Sequence, residues 1–82
     1  MVSPEVHSVI QRGQRIYEER LRTELEKSHL NHYVVIEPDS GDHYIGRTLG
    51  EATARARAAH PDQITYIMRV GHDAAFHIGA VG

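Results

Sequence analysis

Between Ser3 and about His29 the apolar residues Val6, Val9, Ile10, Ile16, Tyr17, Leu21 and Leu25 recur at steps of three, four and seven, which only a helix gathers on one side. Ser3 suits the N-cap, Pro4 the first helical position and Glu5 the positive end of the helix dipole. The other faces carry opposite charges four apart: Arg15 with Glu19, Glu18 with Arg22, Arg20 with Glu24, and Arg22 with Glu26. Each such pair adds roughly 0.2–0.5 kcal/mol. Gly13 is the weak point, about 1 kcal/mol worse than Ala, and marks a site of fraying or kinking. Asn31, which tolerates the left-handed conformation, ends the helix just after His29 and Leu30.

Such a helix would be roughly 39 Å long at 1.5 Å per residue. The whole chain has 82 residues, and a compact domain of that size is only about 30 Å across. The helix is therefore expected to overhang its own domain and to leave Val6, Val9, Ile10 and Ile16 without a partner. Leaving that stripe in water forfeits roughly 1.5–3 kcal/mol for each aliphatic side chain that burial would cover. The expectation is a homodimer, its helices paired antiparallel through Val6, Val9, Ile10, Ile16, Tyr17 and Leu21.

The second half alternates element types. Tyr33-Val34-Val35-Ile36-Glu37 is β-branched and short, hence a strand. Pro38 to Asp42 is dense in turn formers, and His43-Tyr44-Ile45-Gly46-Arg47 returns as its antiparallel partner. Thr48 and Glu51 have the capping-box spacing and open a helix that runs to about His60, before Pro61. Leu49, Ala52, Ala56 and Ala59 share one of its faces, almost all methyl groups. Ile64, Tyr66, Met68 and Val70 alternate along a third strand and point one way. The tail after Gly71 allows a short fourth strand or a docked arm.

Residues 1–82 thus read as one α+β domain. A long helix fills 1–30, and a β-β-α-β unit with a C-terminal tail fills 32–82. The small, mainly antiparallel sheet is covered by helices. The third strand is placed beside the first, with the return strand of the hairpin at the opposite edge.

Composition then removes several functions. Hydrophobic residues at 40% and charged residues at 24% are ordinary globular usage, which argues against wholesale disorder. The absence of cysteine excludes disulfides, thiolate metal sites and thiol catalysis. A net charge of −2 argues against a generally basic nucleic-acid or membrane-surface protein. The longest apolar run, Tyr33 to Ile36, is far short of the roughly 20 residues that span a bilayer. The opening residues lack the basic start and apolar run of a secretory signal. A cytoplasmic protein is expected.

From Leu25 to Gly71 the chain resembles a family of small uncharacterised bacterial proteins built as a helix followed by a ββαβ unit. The likeness rests on Leu25-Glu26, His29, Val34-Val35-Ile36, Ser40-Gly41-Asp42, Tyr44 and Gly46. It continues through Thr48-Leu49, Glu51-Ala52, His60-Pro61 and Arg69-Val70-Gly71. Asn31 stands where that family usually has Gly, and Gly50 where it has a better helix former. The resemblance implies the architecture and leaves the activity open. Gly46-Arg47-Thr48-Leu49 is also loosely similar to the helix entry of HicB-type antitoxin domains.

Three groups of residues invite chemistry. Asp39-Ser40-Gly41 is similar to the tripeptide of retropepsin-like aspartic proteases, in which two copies share a proton between paired carboxylates. Its context differs, because Glu37-Pro38 precede it in place of a hydrophobic strand, and the stretch reads as a hairpin turn. Glu37, Asp39, Asp42 and His43 gather acid and base groups around that turn. Seven histidines are unusual, but they are scattered, with no metal-ligand spacing. His29 and His60 stand where helices end and positive charge is welcome. Arg47, Arg55, Arg57 and Arg69 form a candidate basic patch without a helix-turn-helix, a phosphate loop or an aromatic platform.

The resulting expectation is a non-catalytic, homodimeric protein-interaction module with no cofactor. It would offer the helix, or the sheet edge at the third strand and tail, to an unidentified protein. The alternative is an antitoxin-like or nucleic-acid-associated regulator using the Arg patch, and an Asp-Ser-Gly enzyme ranks third.

Overall fold

Ser3 does cap the N-terminal helix, its hydroxyl accepting from the Val6 N–H at 3.2 Å. In a computed structural model, residues 3–72 are described throughout and 77–79 by their backbone. Three segments run on without a break: α1 (Pro4–Ile16), a π-helical turn (Tyr17–Leu21) and α2 (Arg22–Ser28). Asn31 then takes the left-handed conformation, φ 69°, as its residue type predicts. Next come β1 (Tyr33–Glu37), β2 (Asp42–Gly46), α3 (Leu49–Ala59), β3 (Thr65–Arg69) and β4 (His77–Gly79).

The sheet order is β2-β1-β3-β4, with every neighbouring pair antiparallel. β3 therefore lies beside β1 and the hairpin's return strand at the far edge, as the sequence suggests. The tail forms a fourth strand that pairs with Thr65, Tyr66 and Ile67. The edge of β3, which the sequence offers for strand addition, is thereby occupied from within the chain.

Alternation along the strands divides the core in two. On one face Val34, Ile36, Tyr66, Met68 and Val70 meet Val9, Tyr17 and Leu25 of the long helix. On the other, Val35 and Ile67 meet Ala52 and Ala56 of α3. Both faces being covered, Val34, Val35 and Ile36 have no exposed surface. α3 lies very close to the sheet: a Cβ on Gly46 would stand 2.5 Å from the Ala52 nitrogen. Leu49, expected on this face with Ala59, is instead 41% exposed, and Ala59 is exposed too. Leu49 opens the helix, where a side chain tilts back past the N-terminus.

The expectation that the helix leaves its apolar stripe without a partner is corrected. The molecule extends 33 Å along its longest axis, and the helix packs on the sheet through residues of the chain's own core. Val9 and Tyr17, at 6% and 3% exposed, belong to the chain's own core. Val6 is half-buried, and Ile10, Ile16 and Leu21 are half-buried against that same core.

Gly13 is corrected as well. It is buried, and a Cβ there would stand 2.5 Å from Cβ and Cγ of Tyr66. The residue is a notch for the tyrosine ring, within a continuous helix.

The π-turn has a geometric reason. Residues four apart drift about 40° per step around a 3.6-residue helix. From Val9 through Gly13, Tyr17 and Leu21 to Leu25 the drift would reach about 160°, turning Leu25 to solvent. The extra residue of the turn, marked by the Arg22 N–H donating to the Tyr17 carbonyl, brings Leu25 back to the core at 4% exposure.

Candidate functional site

The hairpin between β1 and β2 gathers the acidic residues and holds them in structural work. Glu37 is 2% exposed. Its carboxylate accepts from the N–H groups of Asp39 and Ser40, each at 2.9 Å. Burial alone would push this carboxyl up. The two N–H donors, the Ser40 side chain and the nearby His60 together outweigh burial and hold it below the usual carboxylate range. His60, just beyond α3, places Nε2 3.2 Å from Asp42 and Nδ1 3.9 Å from Glu37. Asp39 is exposed and gripped by both terminal nitrogens of Arg12, Nη1 at 2.9 Å. Gly41 has φ +79°, and Ser40 Oγ accepts from the Asp42 N–H at 3.1 Å. Asp39-Ser40-Gly41 therefore forms a tight turn clamped to the long helix.

Two concave sites stand beside this frame. The first is an open cleft of about 420 Å³ along β2. His29 and His32 reach it from the end of the long helix, His43, Tyr44 and Arg47 from β2 and the loop after it, and Arg55 from α3. The His29 and His32 rings meet edge to face at 5.2 Å, and Ser28 Oγ lies 2.7 Å from His29 Nδ1. Arg55 donates to the Ile45 carbonyl at 2.9 Å and pairs with Glu51 at 3.1 Å. Of the four arginines singled out in the sequence, Arg47 and Arg55 come together here. Arg57 is exposed elsewhere on α3, and Arg69 stacks over the Tyr33 ring at 5.5 Å while donating to the Asn31 carbonyl. Among the described residues no three His, Cys, Asp or Glu side chains are arranged to hold a metal ion.

The second is a hollow of about 290 Å³ behind the π-turn, lined among others by Gln14, Tyr17, Glu18, Glu26 and Tyr66. Arg22 lies between Glu18 and Glu26, 2.8 Å from each. The Tyr17 hydroxyl is buried and has no hydrogen-bond partner among the described residues. The Gly71 backbone approaches it and favours the phenolate slightly, without closing a bond of ordinary geometry. Burial, reinforced by Glu26, pushes the Tyr17 phenol up. Burial also raises Tyr66, whose hydroxyl is within reach of the Gln14 side chain.

Sequence reasoning missed this hollow. Tyr17 reads there as one more apolar position, and Glu18-Arg22-Glu26 as ordinary surface pairs. The usable signal is the drift arithmetic, which shows that Val9, Tyr17 and Leu25 cannot share one face of a regular helix.

Among the described residues no helix is long and apolar enough to cross a membrane. Searches against family models, curated proteins and solved structures found no match to this chain.

Proposed function

We propose that this chain is a non-catalytic, cytoplasmic binding module that works as a homodimer and takes an acidic segment of another protein in the cleft along β2. The observation that carries the reading is that Arg47, Arg55, His29, His32 and His43 line one cleft with Tyr44, against one carboxylate, Glu51, which pairs with Arg55. The hairpin carboxylates, in contrast, are held in turn and helix contacts. A cleft of this charge attracts carboxylates. Asp39, the residue an aspartic-protease-like role would need, has its carboxylate pinned against α1 by Arg12.

The homodimer rests on less apolar surface than the sequence suggests. Val9 and Tyr17 belong to the core, so the helix contact would use the half-buried flanks at Val6, Ile10, Ile16 and Leu21.

Fluorescence titration with a glutamate-rich peptide tests the cleft. Binding should be weakened at least about tenfold by Arg47→Glu, a loss of about 1.4 kcal/mol, with the circular dichroism spectrum unchanged. No binding at low salt, or equal binding by the variant, overturns the reading. The same two arginines favour one rival, a nucleic-acid-associated regulator. A single-stranded oligonucleotide that outcompetes the peptide, with a steep salt dependence, would establish that rival instead.

A further inference from the structure

The hollow behind the π-turn has no part in the cleft reading and is built differently. Tyr17 lines it, is 3% exposed, and keeps a buried hydroxyl that no described residue satisfies. A phenylalanine would fill the same space without that penalty, since an unpaired buried hydroxyl destabilises a fold. The tyrosine sits at the first residue of the π-turn, and such turns inside helices often mark functional positions. The polar lining is also unbalanced in charge. Glu18 and Glu26 both contribute, and Arg22, the one arginine of the lining, is bonded to each of them.

We propose that this hollow binds a small organic ammonium ion that carries an oxygen acceptor, such as an amino alcohol. The ammonium group is matched to the carboxylates of Glu18 and Glu26, and the acceptor to the unused Tyr17 hydroxyl. The methylenes lie against Met68 and the Tyr66 ring, which also line the hollow. An anion would meet two carboxylates, with Arg22 engaged on both sides and His72, the other basic side chain of the lining, 2.8 Å from Asn31 Oδ1. A wholly apolar ligand would leave the Tyr17 hydroxyl as it is.

The experiment is an NMR titration of the intact chain with 4-amino-1-butanol. Three comparators each lack one element: butylamine has no acceptor, 1,4-butanediol has no charge, and 4-hydroxybutyrate reverses the charge. The expected result is saturable binding of the amino alcohol at millimolar concentration, with shifts centred on Gln14, Tyr17, Glu18 and Gly71. Butylamine should bind severalfold more weakly, and the diol and the acid negligibly.

Tyr17→Phe should abolish the difference between amino alcohol and butylamine while leaving the chain folded. Glu26→Gln should weaken both amines. The proposal falls if the amino alcohol does not saturate, if the diol or the acid binds as well, or if Tyr17→Phe keeps the preference intact. Should Glu26→Gln fail to fold, the Tyr17→Phe comparison decides alone.

Discussion

Gly13 and Tyr66 show how one residue can carry opposite meanings at two levels. On propensity alone Gly13→Ala would strengthen the helix by about 1 kcal/mol. In the folded chain the new methyl would meet the Tyr66 side chain at 2.5 Å. Overpacking of that kind costs roughly 1–3 kcal/mol, so Gly13→Ala should be destabilising in chemical denaturation. Gly50 is the control: nothing lies within 4 Å of a Cβ there, and Gly50→Ala should stabilise by about 0.5–1 kcal/mol. If both substitutions shift the midpoint in the same direction, the notch is not what holds Gly13. The sequence displays both glycines alike, since a distant tyrosine distinguishes them and no local rule reports it.

At the scale of elements, what was legible is what is local. The Ser3 and Thr48 caps, the Asn31 stop, the hairpin turn and the facing of Tyr66, Met68 and Val70 follow from neighbours a few residues apart. Of the four charge pairs expected along the helix, Arg15–Glu19, Glu18–Arg22 and Arg22–Glu26 form. Arg20 instead reaches the hairpin turn, its guanidinium 3.2 Å from the place a Cβ on Gly41 would take. The π-turn was not legible, because it answers a demand made by the sheet on Leu25.

The link between β1, the hairpin and the end of α3 has a pH signature. Glu37 sits below its ordinary value of 4.5 when folded. Its contribution to stability is therefore complete above the unfolded value and is lost as pH falls through the lower, folded one. Thermal unfolding should show a drop in midpoint as pH falls below about 4.5. Glu37→Gln should be less stable at pH 7 and lack that share of the acid loss. An equally steep acid loss in the variant would assign it to other carboxylates.

For the whole molecule, the sequence foresaw the class and the strand order but placed the helix wrongly. The diameter of about 30 Å expected from chain length is close to the 33 Å long axis; what the arithmetic missed is that the helix lies on the sheet, where Val9, Tyr17 and Leu25 join the core. The stripe that argued for a partner copy is largely covered at home. Light scattering decides how much of the homodimer reading survives. A dimer at micromolar concentration that is lost in Ile10→Ser supports the helix flank, and a monomer at millimolar concentration removes it. The β2 cleft could not be read from the chain, because its residues arrive from the end of α2, from β2 and from α3. The close approach of α3 to the sheet at Gly46 lets Arg55 line the same cleft as His43.

That same approach bears on how the protein avoids its own kind. β2 is an outer strand, and the free backbone acceptors of an outer strand are a template for a foreign chain. Arg55 donates to the Ile45 carbonyl, so one acceptor an incoming strand would need is already covered, and by a cation. β4, the opposite border, has three residues, too short a rail for lasting cross-strand growth. Arg55 thus serves both the cleft and the border, and a substitution there, unlike Arg47→Glu, would also uncover an acceptor on the outer strand.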